Sequence, residues 1–208
     1  MALKKVADKS SLHPVEPRQN ERDLPGLAVQ LDHADPTVRR WAARDLALHP
    51  QAAGVVCDRL AQEGDASVRA VLFSSASRLG GPVVVAAMVQ LLRSEDPGLR
   101  NGAIDVLASL PEAVAPHIVD LLREDDSDVR IFTVNLLGNL NHPEVPNWLA
   151  GVLLNDAAVN VVGAALEVMA EVGVAETLPA LRSAKARFAA DPYIGFSADL
   201  AIERIEAA

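Results

Sequence analysis

The sequence predicts an all-α protein built as a right-handed α-α superhelix, a solenoid of about six helical hairpins. Three observations predict it. A pattern recurs about every thirty residues: DPTVRRWAARDL at 35–46, DASVRAVLFSSA at 65–76, DPGLRNGAIDVL at 96–107 and DSDVRIFTVNLL at 126–137. Within each copy the apolar residues fall three and four apart, the spacing of one helical face. Half of the 208 residues are hydrophobic, mostly Ala, Val and Leu, while aromatics make up only 3%. Such small side chains suit short helices stacked closely.

Residues 1–23 are rich in Lys, Ser, Pro and Gln and read as a disordered lead-in. They lack the apolar stretch of a secretory signal. The repeat domain is expected over 24–208. Its first helices are read from amphipathic stretches at 27–33, 53–63, 83–95, 116–124, 147–154 and 178–190. Its second helices begin at Asp35, Asp65, Asp96, Asp126 and, in the last unit, Asp191. In Asp35-Pro36, Asp96-Pro97 and Asp191-Pro192 the residue after the aspartate is proline. An aspartate at the N-cap accepts from a free backbone N–H, and proline at the first helical position loses no bond there. Neither helix of a hairpin hides its apolar stripe alone, so neighbouring hairpins must stack.

An arginine follows each of four aspartates by four residues: Arg39, Arg69, Arg100 and Arg130, at steps of 30, 31 and 30. The spacing predicts a ladder along the turns, with each arginine reaching the aspartate of an adjacent unit. Exposed pairs of this kind contribute about 0–1 kcal/mol, so the ladder is expected to set register more than stability. Two units depart from the pattern. In the fifth, NDAAVNVVGAALEVMAEVG (155–173), Val162 takes the arginine place, which predicts a rung without a cation and a local change of curvature. In the sixth, Gly195 takes that place, after a first helix carrying Arg182, Lys185 and Arg187. A terminal repeat that caps the stack explains the sixth.

The charge narrows the partners. The chain is −9 overall; residues 1–23 hold five basic and four acidic groups, leaving about −10 for the rest. An acidic body lacks the basic face that nucleic acid or an anionic membrane needs. Every apolar run is broken before the roughly 20 residues of a membrane span. The one cysteine, Cys57, rules out an internal disulfide and fits a reducing, cytoplasmic setting. It lies mid-stripe and reads as a small buried residue without a neighbouring base.

The D-x-x-V-R-x-x-A-A-x-x-L pattern, clearest in DPTVRRWAARDL, resembles the HEAT-repeat family, in particular the short bacterial HEAT-like repeats of the phycobilin-lyase type. The resemblance spans roughly 26–206. It implies a concave face lined by the second helices and, most often, a protein-binding scaffold. Some relatives are chromophore lyases, di-iron hydroxylases or DNA glycosylases. The hydroxylases carry His-Glu pairs; here the nearest approach is His142-Pro143-Glu144. His33 and His49 offer two imidazoles without a third ligand. No phosphate loop, nucleophile elbow, zincin pattern or calcium loop is present. The sequence therefore calls for no metal, no cofactor, no small-molecule substrate and no catalytic residue.

The expected function is a non-catalytic scaffold or adaptor whose concave face captures another protein. The residues expected to touch that partner are Arg40, Trp41, Arg44, Arg78, Phe132, Asn135 and Asn139, since exposed aromatic and Arg side chains are the usual anchors. Trp41 and Phe132 serve equally as packing between units. The alternatives are a tetrapyrrole (phycobilin) lyase or chaperone-like subunit and, ranked lower because of the acidic body, a DNA glycosylase.

Overall fold

The computed structural model describes residues 21–207, and among them there are twelve α-helices and no strand. They form six hairpins: α1 (Leu24–Gln30) with α2 (Pro36–Leu46), α3 (Ala53–Gln62) with α4 (Ala66–Leu79), and α5 (Gly81–Leu91) with α6 (Pro97–Ala108). The remaining three are α7 (Pro111–Leu121) with α8 (Ser127–Asn139), α9 (Val145–Asn155) with α10 (Val159–Val172), and α11 (Leu178–Arg187) with α12 (Pro192–Glu206). Short 3₁₀ turns at Pro50–Ala52 and Ala175–Thr177 lead into α3 and α11. The lead-in expected over 1–23 lies, for residues 1–20, outside the described residues. Of the rest, Arg22 pairs with Asp45 at 3.0 Å and Asp23 caps α1.

The helix starts follow the capping rule. Asp35, Asp65, Asp96, Asp126 and Asp191 are all N-caps, each accepting from a backbone N–H of the first turn at 2.7–2.9 Å. Three positions and seven positions beyond each arginine lie Ala42/Leu46, Leu72/Ala76, Ala103/Leu107 and Thr133/Leu137, all with 0% exposure. The buried Thr133 hydroxyl donates to the Val129 carbonyl, so no polar group is stranded there. α7 begins at Pro111, five residues before the expected 116, because Pro111 occupies the favourable first position and Pro116 is accommodated within the helix. Between α4 and α5 the chain turns without a loop. Gly80 (φ 60°, ψ −160°) and Gly81 (φ 81°) adopt backbone that side chains with a Cβ rarely reach.

The hairpins stack in two layers. The second helices α2, α4, α6, α8, α10 and α12 pack against one another in unbroken order. The first helices are looser, and α7 and α9 barely touch. A stack whose two layers pack unequally bends toward the tighter one, so the second helices form the inner layer. The sixth unit carries a polar outer side. Four residues after the arginine place, the first five units have Ala43, Phe73, Ile104, Val134 and Leu166; the sixth has Asp199. Four residues further on, small residues give way to Glu203. Carboxylates thus stand where the other units pack their successor, the pattern expected of a capping repeat.

Candidate functional site

The arginine places show what the turns do. Arg39, Arg69, Arg100 and Arg130 each donate to the backbone carbonyl six residues earlier, at His33, Glu63, Ser94 and Glu124. Each arginine thus closes its own turn first. Its outward partner varies, and the expected Asp–Arg ladder needs correction. Arg69 meets Asp96 of the next unit at 2.7 Å. Arg39 meets Glu63 instead of Asp65, with two bonds of 2.8 Å. Arg130 meets Asp156 in the same two-pronged way, at 2.7 and 3.1 Å. Among the described residues Arg100 meets no carboxylate and its buried Nε has no partner; its guanidinium lies over the Phe132 ring at 4.4 Å.

The physical reason is a position that the repeat motif did not reveal. Two residues before the N-cap sits an acceptor for the cap's own backbone N–H. It is His33 before Asp35, Glu63 before Asp65, Ser94 before Asp96, His142 before Glu144 and Asp156 before Ala158. Where that acceptor is a carboxylate turned inward, it takes the preceding arginine; the aspartate stays with its helix. Asp65, for instance, is engaged by the Ser67 and Val68 N–H groups and the Ser67 hydroxyl, which hold its carboxyl below the ordinary range. Glu124 is drawn away by Arg93 at 2.5 Å, which leaves Arg100 to Phe132.

Glu63 is the most deeply held charge, 1% exposed between Arg39 and Arg59. Hydrogen bonds from Arg39, outweighing the burial, push its carboxyl down to about 2. In the fifth unit Val162 is buried, as its apolar side chain requires. The vacant function passes to Arg187 of α11, which donates to the Leu153 and Asp156 carbonyls. Asp156 stands at the same place in its turn as the carbonyl residues above.

Two concavities flank this frame. On the inner layer, Asn135, Gly138 and Asn139 of α8 face Glu167, Val168 and Glu171 of α10 across a recess of about 380 Å³. In the outer layer, the gap between α7 and α9 is a cleft of about 650 Å³. Its walls include Val119, Leu122 and Arg123 on one side and Asn147, Trp148 and Asn155 on the other, over the Arg130–Asp156 pair. Trp148 stacks on His142 at 4.8 Å.

Of the residues expected to touch a partner, Asn135 and Asn139 come together in the inner recess, with the Asn139 amide donating to the Asn135 carbonyl at 3.1 Å. Arg44 and Arg78 are exposed, Arg40 is half-buried and Trp41 is 38% exposed. Phe132 is half-buried under Arg100, so packing between the third and fourth units is its first role. The sequence reading missed Glu167, Glu171, Tyr193, Phe196 and Leu200 on the same layer. For Glu167, Glu171 and Leu200 the signal was present: counting five and nine from each arginine place gives two rows. The first is Arg44, Ser74, Asp105, Asn135, Glu167, Leu200; the second is Leu48, Arg78, Ser109, Asn139, Glu171, Arg204. All twelve are exposed.

Cys57 is 6% exposed, and burial pushes its thiol up to about 11. Among the described residues no group of three His, Cys, Asp or Glu is placed to hold a metal ion. No described helix is long and apolar enough to cross a membrane.

No curated protein sequence matches the chain significantly. Among solved structures, human deoxyhypusine hydroxylase in complex with glycerol is 18% identical with a TM-score of 0.47, covering 90% of this chain and 76% of that one. A designed armadillo repeat protein is 17% identical with a TM-score of 0.41, covering 88% and 100%. The complex of CpcE and CpcF of phycocyanin lyase from Nostoc sp. PCC7120 is 17% identical with a TM-score of 0.37, covering 90% and 97%. These values carry no functional argument. A family model described as HEAT repeats matches residues 24–108, 54–130 and 115–187. Those matches overlap, take in well over half of the sequence and fall on the stacked hairpins, and the chain accordingly belongs to the HEAT-repeat family.

Proposed function

We propose that this HEAT-repeat protein is a scaffold that captures a partner protein on its inner layer. The observation that carries the proposal is the pair of rows five and nine residues beyond the arginine places. They are exposed in all six units and therefore run the length of the stack. A continuous exposed track along a solenoid is the surface that such folds offer to partners. The recess between α8 and α10 gives the track depth, and Asn135 and Asn139 supply neutral donors and acceptors there. Arg40, Trp41, Arg44, Arg78 and Phe132 are the remaining residues proposed to touch the partner.

The test is affinity capture from native extract with wild type and an Asn135→Ala/Asn139→Ala variant, read by mass spectrometry. Both asparagines are exposed, so the fold should be retained, which circular dichroism checks. A protein retained by wild type and lost from the variant supports the proposal. Capture that is unaltered by inner-layer substitutions, including Arg44→Ala and Arg78→Ala, would sink it.

A second reading, a tetrapyrrole-holding subunit, draws on the outer cleft. Its volume of about 650 Å³ falls within the range of small-molecule sites, and Trp148 offers an aromatic wall. Mixing the protein with free bilin and recording the absorbance spectrum tests it. A red shift abolished by Trp148→Ala supports this reading; a spectrum unchanged by the protein rejects it.

A further inference from the structure

We propose that the inner face reads its partner segment with a defined polarity: acidic residues over the first two units, basic residues over the fifth, and an apolar anchor over the sixth. The inference rests on the scaffold reading above and specifies the partner's chemistry.

At one end stand Arg40, Arg44 and Arg78. Among the described residues none of the three enters an ion pair. The chain has 28 acidic against 19 basic groups. Lack of carboxylates therefore does not explain three neighbouring arginines left without partners. Charges kept in water on one patch steer and orient an oppositely charged segment. Further along, Glu167 and Glu171 lie one turn apart at the rim of the inner recess. Tyr193 donates to Glu167, which keeps its full charge, while Glu171 shares its charge with Arg204; the pair remains net negative and exposed on the track. In the last unit, Phe196 is 68% exposed and Leu200 43% exposed, four residues apart on α12. With Tyr193, 49% exposed on the same helix, they put three large apolar side chains within eight residues of one helix, a patch that suits an aromatic or aliphatic anchor.

The distance fixes the length of segment. Neighbouring helices pack about 8–10 Å apart, so six second helices span about 40–50 Å. An extended chain advances about 3.3 Å per residue, and roughly 12–15 residues reach from the first unit to the last.

The experiment uses fluorescent synthetic peptides of about 15 residues. One carries an acidic block, a neutral spacer, a pair of lysines and a Leu-Trp end. Others carry the same residues in reverse chain order or with the two charge blocks exchanged. Anisotropy is followed against the full chain at low and raised salt. The expected result is binding of the first peptide, in one of its two chain orders, about tenfold or more tighter than the charge-exchanged peptide. Arg44→Glu/Arg78→Glu should weaken it about tenfold and flatten its salt dependence, and Phe196→Ser should weaken it without altering that dependence. Equal affinity for the original and charge-exchanged peptides overturns the polarity, and so does absence of binding to any of them. Either outcome leaves the scaffold reading standing if capture from extract still depends on Asn135 and Asn139, so the two proposals fail separately.

Discussion

Replacing Glu63 by Gln removes one charge and almost no volume, which isolates what that buried carboxylate does. Glu63 accepts two bonds from Arg39, two from Arg59 and one from the Asp65 backbone N–H. Its carboxyl is lowered from 4.5 to about 2. At 1.36 kcal/mol per pH unit this corresponds to about 3 kcal/mol of stability near neutral pH. The sign follows from the depressed folded value. The contribution is complete above pH 4.5, declines as pH falls and is gone once pH drops below about 2. Urea unfolding of wild type and Glu63→Gln, each followed by Trp fluorescence and circular dichroism between pH 7 and pH 2, reads the difference. Trp41 in α2 and Trp148 in α9 sit in opposite halves of the stack, so Trp148→Phe leaves a reporter beside the affected units. A deficit of about 3 kcal/mol at pH 7 that closes toward pH 2 is the expected result. A deficit below about 0.5 kcal/mol, or one constant with pH, would refute the linkage argument.

Three further outcomes are expected. Asp156→Ala removes both the partner of Arg130 and the acceptor for the Ala158 N–H, in a site where the carboxylate is 6% exposed; it should cost about 2–4 kcal/mol, measured from the urea midpoint reported by Trp148. Gly102→Ala places a Cβ 2.3 Å from the Phe73 ring; it should cost about 1–3 kcal/mol in thermal melts, and Phe73→Leu in the same chain should recover part of it. Cys57, with its thiol near 11, should be alkylated by iodoacetamide at pH 8 at least about a hundredfold more slowly in the folded protein than in urea.

The architecture was legible because its determinants are local. An aspartate cap needs one residue type at one place, and Asp35, Asp65, Asp96, Asp126 and Asp191 stand there in plain sequence. The apolar stripe of each second helix was legible for the same reason. The acceptor two residues before the cap was not, because the role asks only for a lone pair. Histidine, serine, glutamate and aspartate all fill it, so nothing recurs to be noticed. The partners of the arginines were hidden likewise: whether Arg39 meets Glu63 or Asp65 depends on which carboxylate the turn aims inward. Arg187 stands in for a missing rung from a different helix, 25 residues beyond Val162, a substitution visible only once the chain is folded. Of the exposed rows, Arg44, Arg78, Asn135 and Asn139 were legible, while Glu167, Glu171 and Leu200 follow Val162 and Gly195, where no arginine marks the register. Phe132 looked like an anchor because its register is right; Arg100, left without a carboxylate, came to cover it.

The uneven ties also set where the stack is aligned least firmly. Units one and two are fastened by Arg39–Glu63, two and three by Arg69–Asp96, and four and five by Arg130–Asp156. Between three and four the ionic ties are a cation resting on a ring and the more exposed Arg93–Glu124 pair, beside the packing of α6 on α8. Ties of this kind add little free energy, so a lighter one slackens the alignment of the two halves and leaves the apolar packing to hold them together.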